Sequence, residues 1–439
     1  MSHRSLAVAA RILRMTRKDT LRTVKGMRDI LPGESVLWEH IEQVARDLFT
    51  RYGYDEIRTP LVEPTDLFVR GVGADTDIVT KEMYTWQDRD QSSLTLRPEA
   101  TASVIRAYIE HRMWEGRPLI KVYYMGPMFR RERTQKGRYR QFYQIGVEAI
   151  GYDSVSLDVE VIRVAVQLLD KLQVKGFSLL LNSVGCEECR PKYVALLREE
   201  VKKVRDQLCQ DCQRRSETNP LRVLDCKIPA DQAIINRLPT ITSSLCFACN
   251  IHFERVKQYL NDHHITYAVQ PRLVRGLDYY TRTTFEIVHG ELGAQNSLLG
   301  GGRYDGLSEE LGGPHAPGVG FALGEDRFAL VVPRPIGKPL LHISWLEESA
   351  RKHASELQEE LHREGIMATV YPEALKPKRF LEIASRLSAR HDVYGLIVGD
   401  REVNEGKYQL RDITHGTLLQ PKSREELRQL LKEKARQAE

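Results

Sequence analysis

No apolar run in these 439 residues is long enough to cross a bilayer, which removes a membrane-spanning helix from the readings. There is no internal repeat and no low-complexity segment, so a solenoid and a purely flexible linker are both poor fits. Strong charge of one sign is also lacking. With 65 basic and 60 acidic residues the formal net charge is +5, compatible with an RNA partner without pointing to one. Cysteine is absent outside residues 186–249 and nothing marks the chain as secreted, so a disulfide framework is the least suited reading. What remains is an ordinary globular composition, 41% hydrophobic and 28% charged, long enough for two or three domains with their own cores.

Residues 1–22 stand apart, with six basic residues and a single acid, Asp19. An arm rich in arginine and poor in acids reads as a transit peptide, or as upstream sequence before a true start at Met15. The arm is expected to be disordered. From Lys25, KGMRDILPGE leads into a helix from Ser35 to about Tyr52 that carries one apolar face. DEIRTPLVEP reads as a strand whose Pro60 suits only an edge or an end. VRGVGADTDIVTKEMYTW reads as loop and then strand. LTLRPEATASVIRAYIEH is a strand ending at Arg97-Pro98, then a helix from about Thr101. Glu99 and Thr101 therefore sit at a strand-to-helix corner, where ligand-binding side chains and plain helix caps are both at home.

The most informative stretch is Tyr123 to Gly151, two strands joined by a basic turn. Arg130, Arg131, Arg133, Lys136, Arg138 and Arg140 crowd into eleven positions with one acid, Glu132. A solvated surface loop is the plain reading of such a run. Against it, the returning strand alternates and puts Gln144, Gly146 and Glu148 on one face just past the basic tip. An amide and a carboxylate beside phosphate-binding guanidinium groups look like the floor of an active site.

Leu157 to Leu172 is an amphipathic helix and Phe177 to Gly185 a buried strand. All seven cysteines follow, between Cys186 and Cys249. Cys186, Cys189, Cys209 and Cys212 form C-x2-C-x19-C-x2-C, a spacing suited to tetrahedral Zn²⁺. Reduced thiols in a helical insert are the other reading, and residues 186–265 read as an inserted small domain. Arg275, Tyr279 and Tyr280 then surround a glycine turn, an arrangement able to clamp an anion and wall a pocket. LLGGGRYDGL places three glycines after a strand, letting backbone approach a ligand, and matches no phosphate-loop pattern. GVGFALGEDRFAL is a strand breaking into a helix at Asp326 and Arg327. Arg327 faces either a nucleotide phosphate or a local salt bridge. Pro333, Pro335, Gly337 and Pro339 mark a linker to a β-α-β-α-β pattern, a separate α/β domain of residues 333–439.

KGMRDILPGE, TLRPEATAS, MGPMFRRERTQKGRYRQFYQIGVE, LVRGLDYYTRTTFE and GGGRYDGL together resemble the histidyl-tRNA synthetases, a class II aminoacyl-tRNA synthetase family. The resemblance runs from residue 23 to the end. LVRGLDYY is particular to this family, whereas the hairpin alone would indicate only class II. It implies an α+β catalytic core with an antiparallel sheet (residues 23–185 and 266–332), a small helical insertion (186–265) and a C-terminal α/β anticodon-binding domain. It further implies a cytoplasmic homodimer, Pro60 belonging to the dimer-forming motif, that uses ATP with Mg²⁺ to activate L-histidine and load it onto tRNA(His).

Residue by residue, the resemblance gives Glu99 and Thr101 the histidine amino group and Gln144 its carboxylate side. Glu148 would accept a hydrogen bond from the imidazole, with Tyr279 and Tyr280 lining its pocket. Arg130 would grip the ATP α-phosphate, Glu132 and Arg138 the nucleotide, and Arg327 would pair with ATP. Arg275 would stabilise charge developing at the α-phosphate. The chain departs from the family pattern at Asp326, where glutamate is usual, and the cysteine pairs lie outside what the resemblance implies. The competing reading is a non-catalytic, histidine-binding regulatory paralogue. Such relatives lack the C-terminal domain and degrade LVRGLDYY, and both are intact here. A generic RNA-binding module would explain the basic loop but not the face of Gln144 and Glu148.

Overall fold

The computed structural model describes residues 21–293, 296–335, 340–387 and 392–437. Most of the basic arm, Gly337 and Pro339 of the linker, and residues 388–391, where the second helix of the expected β-α-β-α-β pattern would end, lie outside these residues. The chain divides into two compact units, one made of the described residues up to Asp29 together with Ile41–Val332, the other of Ile30–His40 and the described residues from Pro333 on.

The first unit is built on an eight-stranded sheet. In chain order its strands are β1 (Asp55–Glu56), β5 (Ile120–Phe129), β6 (Gln141–Ile150), β7 (Phe177–Ser183), β8 (Ala268–Val269), β9 (Thr281–His289), β10 (Ser297–Arg303) and β11 (Gly318–Gly324). Their order across the sheet is β1-β5-β6-β11-β10-β9-β7-β8. The six central strands pair antiparallel, as expected, while the two-residue edges β1 and β8 pair parallel to their neighbours. The helix Val155–Lys171 buries an aliphatic stripe that includes Val161, Ile162, Ala165, Leu168 and Leu169. Positions 145–150 of β6 are buried at every residue, so the alternation visible in the sequence does not become an inside and an outside there.

Three local expectations need correction. DEIRTPLVEP is not one strand: Pro60 cannot donate to a ladder, and the chain breaks there into β1 of the large sheet and β2 (Val62–Pro64) of a small one. That small sheet has the order β2-β4-β3, with β3 Tyr84–Gln87 and β4 Ser93–Leu96. Val69–Val72, read as the start of a loop, instead end a helix, Thr65–Val72, that buries Leu67, Phe68, Gly71 and Val72. The three glycines at 300–302 lie inside β10 rather than after a strand. Pairing with β9 and β11 on both sides overrides their weak strand preference.

The second unit carries a five-stranded sheet of order β13-β12-β14-β15-β16. β12 is Leu340–Trp345, β13 Met367–Val370, β14 Val393–Val398, β15 Leu410–Asp412 and β16 Leu418–Leu419. The first three run parallel and the last two antiparallel. Ala350, Ala354, Leu357 and Leu361 of the helix Glu348–Arg363 form the buried stripe against it.

Candidate active site

β5 and β6 form a hairpin closed by Phe129 opposite Gln141, with Arg130 N–H donating to the Arg140 carbonyl at 2.9 Å. The segment before the first helix packs on its loop. Arg140 N–H donates to Gly26 O (2.7 Å), and the Arg28 guanidinium lies 4.8 Å over the Tyr139 ring. Arg28 also reaches Asp326 at 3.1 Å, and the second oxygen of that carboxylate accepts the Tyr143 N–H at 3.0 Å. Asp326, the shorter acid at this position, thus ties the hairpin to both the N-terminal segment and the end of β11.

At the foot of β6 lies a small polar cavity of about 140 Å³. Glu148 lies on its wall and is 1% exposed. Thr101 Oγ1 donates to one carboxylate oxygen at 2.7 Å and Tyr304 OH to the other at 2.6 Å. Burial outweighs those two hydrogen bonds and raises the Glu148 carboxyl from 4.5 to about 8. Glu99, 3% exposed, accepts the backbone N–H groups of Thr101 (2.8 Å) and Ala102 (2.9 Å). It therefore caps the helix Thr101–Glu110, which leaves the Thr101 hydroxyl for Glu148 rather than for a cap of its own. Burial also moves the Glu99 carboxyl upward. The rings of Tyr279 and Tyr280 are 4.7 Å apart, and that of Tyr304 stands edge-on to Tyr279 at 5.9 Å.

This cavity opens into a larger one of about 620 Å³, and the two share Arg130, Gln144, Arg275, Gly276 and Gly300 in their walls. Glu132, Arg138 and Arg327 line the larger space. Each guanidinium there is already oriented by a partner: Arg138 by Glu132, Arg275 by Glu286 (2.7 Å), Arg130 by Pro98 O (2.8 Å) and Arg327 by Ser297 O (3.1 Å). A polyanion entering the cavity meets donors held in place rather than flexible side chains. At the shared wall, Gln144 Oε1 and Arg275 Nε are buried with no hydrogen-bond partner in the protein, which leaves both able to bond a ligand.

Two glycines are dictated by close approach. A Cβ at Gly300 would overlap the Arg275 guanidinium, and one at Gly320 would overlap the Glu148 carboxylate. The structure thus gathers Glu99, Thr101, Gln144, Glu148, Tyr279, Tyr280, Arg130 and Arg275 around the smaller cavity. Sequence reasoning missed Tyr304, Tyr124 and Glu286. A tyrosine after Arg303 and an acid inside TRTTFEIV carry no spacing signal, although the quoted motifs contain Tyr304 and Glu286.

The cysteines pair differently from the expectation. Cys186 and Cys189 converge with Cys246 and Cys249, whereas Cys209 and Cys212 lie with Cys226 and Asp231. Linear spacing favoured consecutive pairs. The fold instead brings the first C-x2-C next to the last, because the segment leaves from β7 and returns to β8, neighbours at one sheet edge.

Residues 26–327 match a family model described as histidyl-tRNA synthetase, and residues 331–434 one described as anticodon binding domain. A protein of Solibacter usitatus named histidine–tRNA ligase is 56% identical over 399 residues, covering 90% of this chain and 95% of that protein. One of the same name from Koribacter versatilis is 49% identical over 412 residues, covering 90% and 92%. The crystal structure of apo S. aureus histidyl-tRNA synthetase superposes with a TM-score of 0.73 at 37% identity, over 94% of this chain and 99% of that one.

Proposed function

This chain belongs to the histidyl-tRNA synthetase family, and from that premise we propose how its two joined cavities work. It is a histidine–tRNA ligase: ATP activates L-histidine to histidyl-adenylate, and the amino acid passes to the 3′ end of tRNA(His). A regulatory paralogue is not favoured, since the relatives are named ligases and residues 331–434 match the anticodon-binding model.

The imidazole occupies the smaller cavity, its ring N–H donating to Glu148 and its faces against Tyr279 and Tyr280. Glu99 and Thr101 take the amino group, and Gln144 lies on the carboxylate side. The triphosphate lies over Arg130, Arg138 and Arg327, with Glu132 beside the nucleotide. One carboxylate oxygen of histidine attacks the α-phosphorus, and the bond from phosphorus to the bridging oxygen of pyrophosphate breaks. Negative charge accumulates at the α-phosphate as this happens. Arg275 and Arg130, at the wall shared by both cavities, are placed to offset it. Mg²⁺ carried on the phosphates would supply further charge neutralisation, and Glu132 and Glu286, which line the larger cavity, are hard-oxygen donors that suit it.

The observation that carries this reading is the buried carboxylate of Glu148 in a polar pocket opening onto oriented guanidinium groups. Selectivity follows: an amino acid without the imidazole N–H would leave Glu148 with the Thr101 and Tyr304 hydroxyls alone, and the loss of that further hydrogen bond costs roughly 1–3 kcal/mol. The test is ATP–pyrophosphate exchange with all twenty amino acids. Exchange with histidine alone is expected, and no histidine-dependent exchange would overturn the reading. We further propose that the enzyme acts as a cytoplasmic homodimer through the face near Pro60, where Leu61 and Val62 are 41% and 40% exposed. The second unit would contact the anticodon.

A further inference from the structure

We propose that Cys186, Cys189, Cys246 and Cys249 bind one structural Zn²⁺ ion that staples the root of the segment between β7 and β8. The four Sγ atoms all lie within 4.8 Å of one another. Cys186 Sγ is 3.8 Å from both Cys189 Sγ and Cys246 Sγ. A tetrahedron with zinc–sulfur bonds of about 2.3 Å has an edge of about 3.8 Å. A disulfide would need about 2.05 Å, and all four cysteines are free. A polynuclear iron–sulfur cluster spreads its thiolates over several iron atoms and does not suit four sulfurs gathered this tightly.

The backbone around the sulfurs suits a metal-bound thiolate. Cys186 N–H donates to Cys189 Sγ at 3.3 Å, and a side chain at Gly185, whose φ is +70°, would meet that sulfur at 2.8 Å. Cys189 opens the sixteen-residue helix Cys189–Val204, and Cys246 caps the sixteen-residue helix Phe247–Asp262. Two helix N-termini therefore face the four sulfurs and offset the net negative charge of a tetrathiolate site. The other cluster differs. Cys226 Sγ donates to Asp231 Oδ2 at 3.2 Å and Cys209 N–H to both oxygens of Asp231 at 3.2 Å, so a hydrogen-bonded carboxylate stands there in place of a fourth thiol.

The staple lies next to the proposed imidazole pocket. Val184 N–H donates to Arg282 O and Arg282 N–H to Gly185 O, both at 2.8 Å. Arg190, one residue beyond Cys189, donates to the carbonyls of Asp278 (3.2 Å) and Tyr280 (2.7 Å). Ion binding at the start of that helix holds Arg190 and through it the backbone of Tyr279 and Tyr280.

The experiment uses the full-length enzyme. Elemental analysis after dialysis against metal-free buffer should find zinc, and Cys246→Ser should lower the content by about one ion per chain. In case that variant fails to fold, wild-type thiols are alkylated with and without a strong chelator and mapped by mass spectrometry. Cys186, Cys189, Cys246 and Cys249 should be protected together and become reactive together. Absent zinc, iron in its place, or equal reactivity with and without chelator overturns the proposal. Stripping the ion should also weaken histidine binding about tenfold, the scale of one displaced charge-assisted hydrogen bond, and ATP binding far less. That arm rests on the function proposed above and metal content does not, so the two can fail separately. Unchanged histidine affinity would refute the link through Arg190.

Discussion

Glu148→Gln separates what this buried carboxylate does for histidine from what it does to the fold. Its carboxyl is raised from 4.5 to about 8 by burial, so between those values the folded enzyme holds a proton that the unfolded chain has lost. The unfolded state binds fewer protons there, and stability must fall as pH rises through the window and level off above pH 8. One proton is worth about 1.36 kcal/mol per pH unit, which accumulates to roughly 3 kcal/mol by pH 7. Glutamine does not titrate and can accept from one of the Thr101 and Tyr304 hydroxyls and donate to the other. The ligand-free variant should therefore match wild type near pH 4.5 and exceed it by about 3 kcal/mol at pH 7. Denaturant unfolding at a series of pH values reads this directly. A wild-type-minus-variant difference that stays constant from pH 5 to pH 8 refutes the reasoning.

The same proton shapes histidine binding. The complex shares one proton between Glu148 and the imidazole. The free enzyme carries it below about pH 8, and free imidazole takes up its own below about 6.5. Affinity should be greatest between these values and fall about tenfold per pH unit on either side. In the glutamine variant the charged acceptor is gone, so kcat/KM for exchange should drop by roughly 10- to 100-fold, and the alkaline limb should vanish. Calorimetric titration of histidine at several pH values checks this, and an unchanged profile in the variant would remove Glu148 from the site.

Arg275→Ala should reduce pyrophosphate exchange by about 10²–10³ while changing histidine affinity much less, since the guanidinium acts on charge that develops only during attack. Equal losses would mean that Arg275 merely binds. Gly300→Ala should reproduce much of that defect with Arg275 itself unsubstituted, because the added methyl overlaps its guanidinium; normal exchange would show that Arg275 need not lie there. Gly320→Ala should destabilise by about 1–3 kcal/mol and abolish histidine binding, the new Cβ colliding with Glu148. Arg303, fully buried, holds Asp158 at 3.1 Å and Asp305 at 3.0 Å, so Arg303→Met should lower unfolding stability by about 3–5 kcal/mol. A melting temperature equal to wild type would exclude that role.

Local patterns carried a long way. The hairpin Ile120–Ile150, the helix Val155–Lys171 and the alternating strands and helices of the second unit were readable because periodicity and turn residues are short-range properties of the chain. The side chains around the two cavities were named through motif resemblance, a signal also held in linear order. The sequence did not show which residues would be neighbours across the sheet. Tyr304 reaches Glu148 from 156 positions away, and Glu286 on β9 meets Arg275 in the loop before that strand. The glycines of β10 and β11 made that proximity possible by removing side chains that would have filled it. The cysteines give the same lesson. Spacing joined consecutive pairs, whereas the return of the chain to the sheet edge beside β7 joined the first pair to the last. Residue chemistry and local conformation were determined by the sequence alone. Which groups share a buried space, and hence how far burial shifts the proton on Glu148, was decided only when strands distant in sequence closed around it.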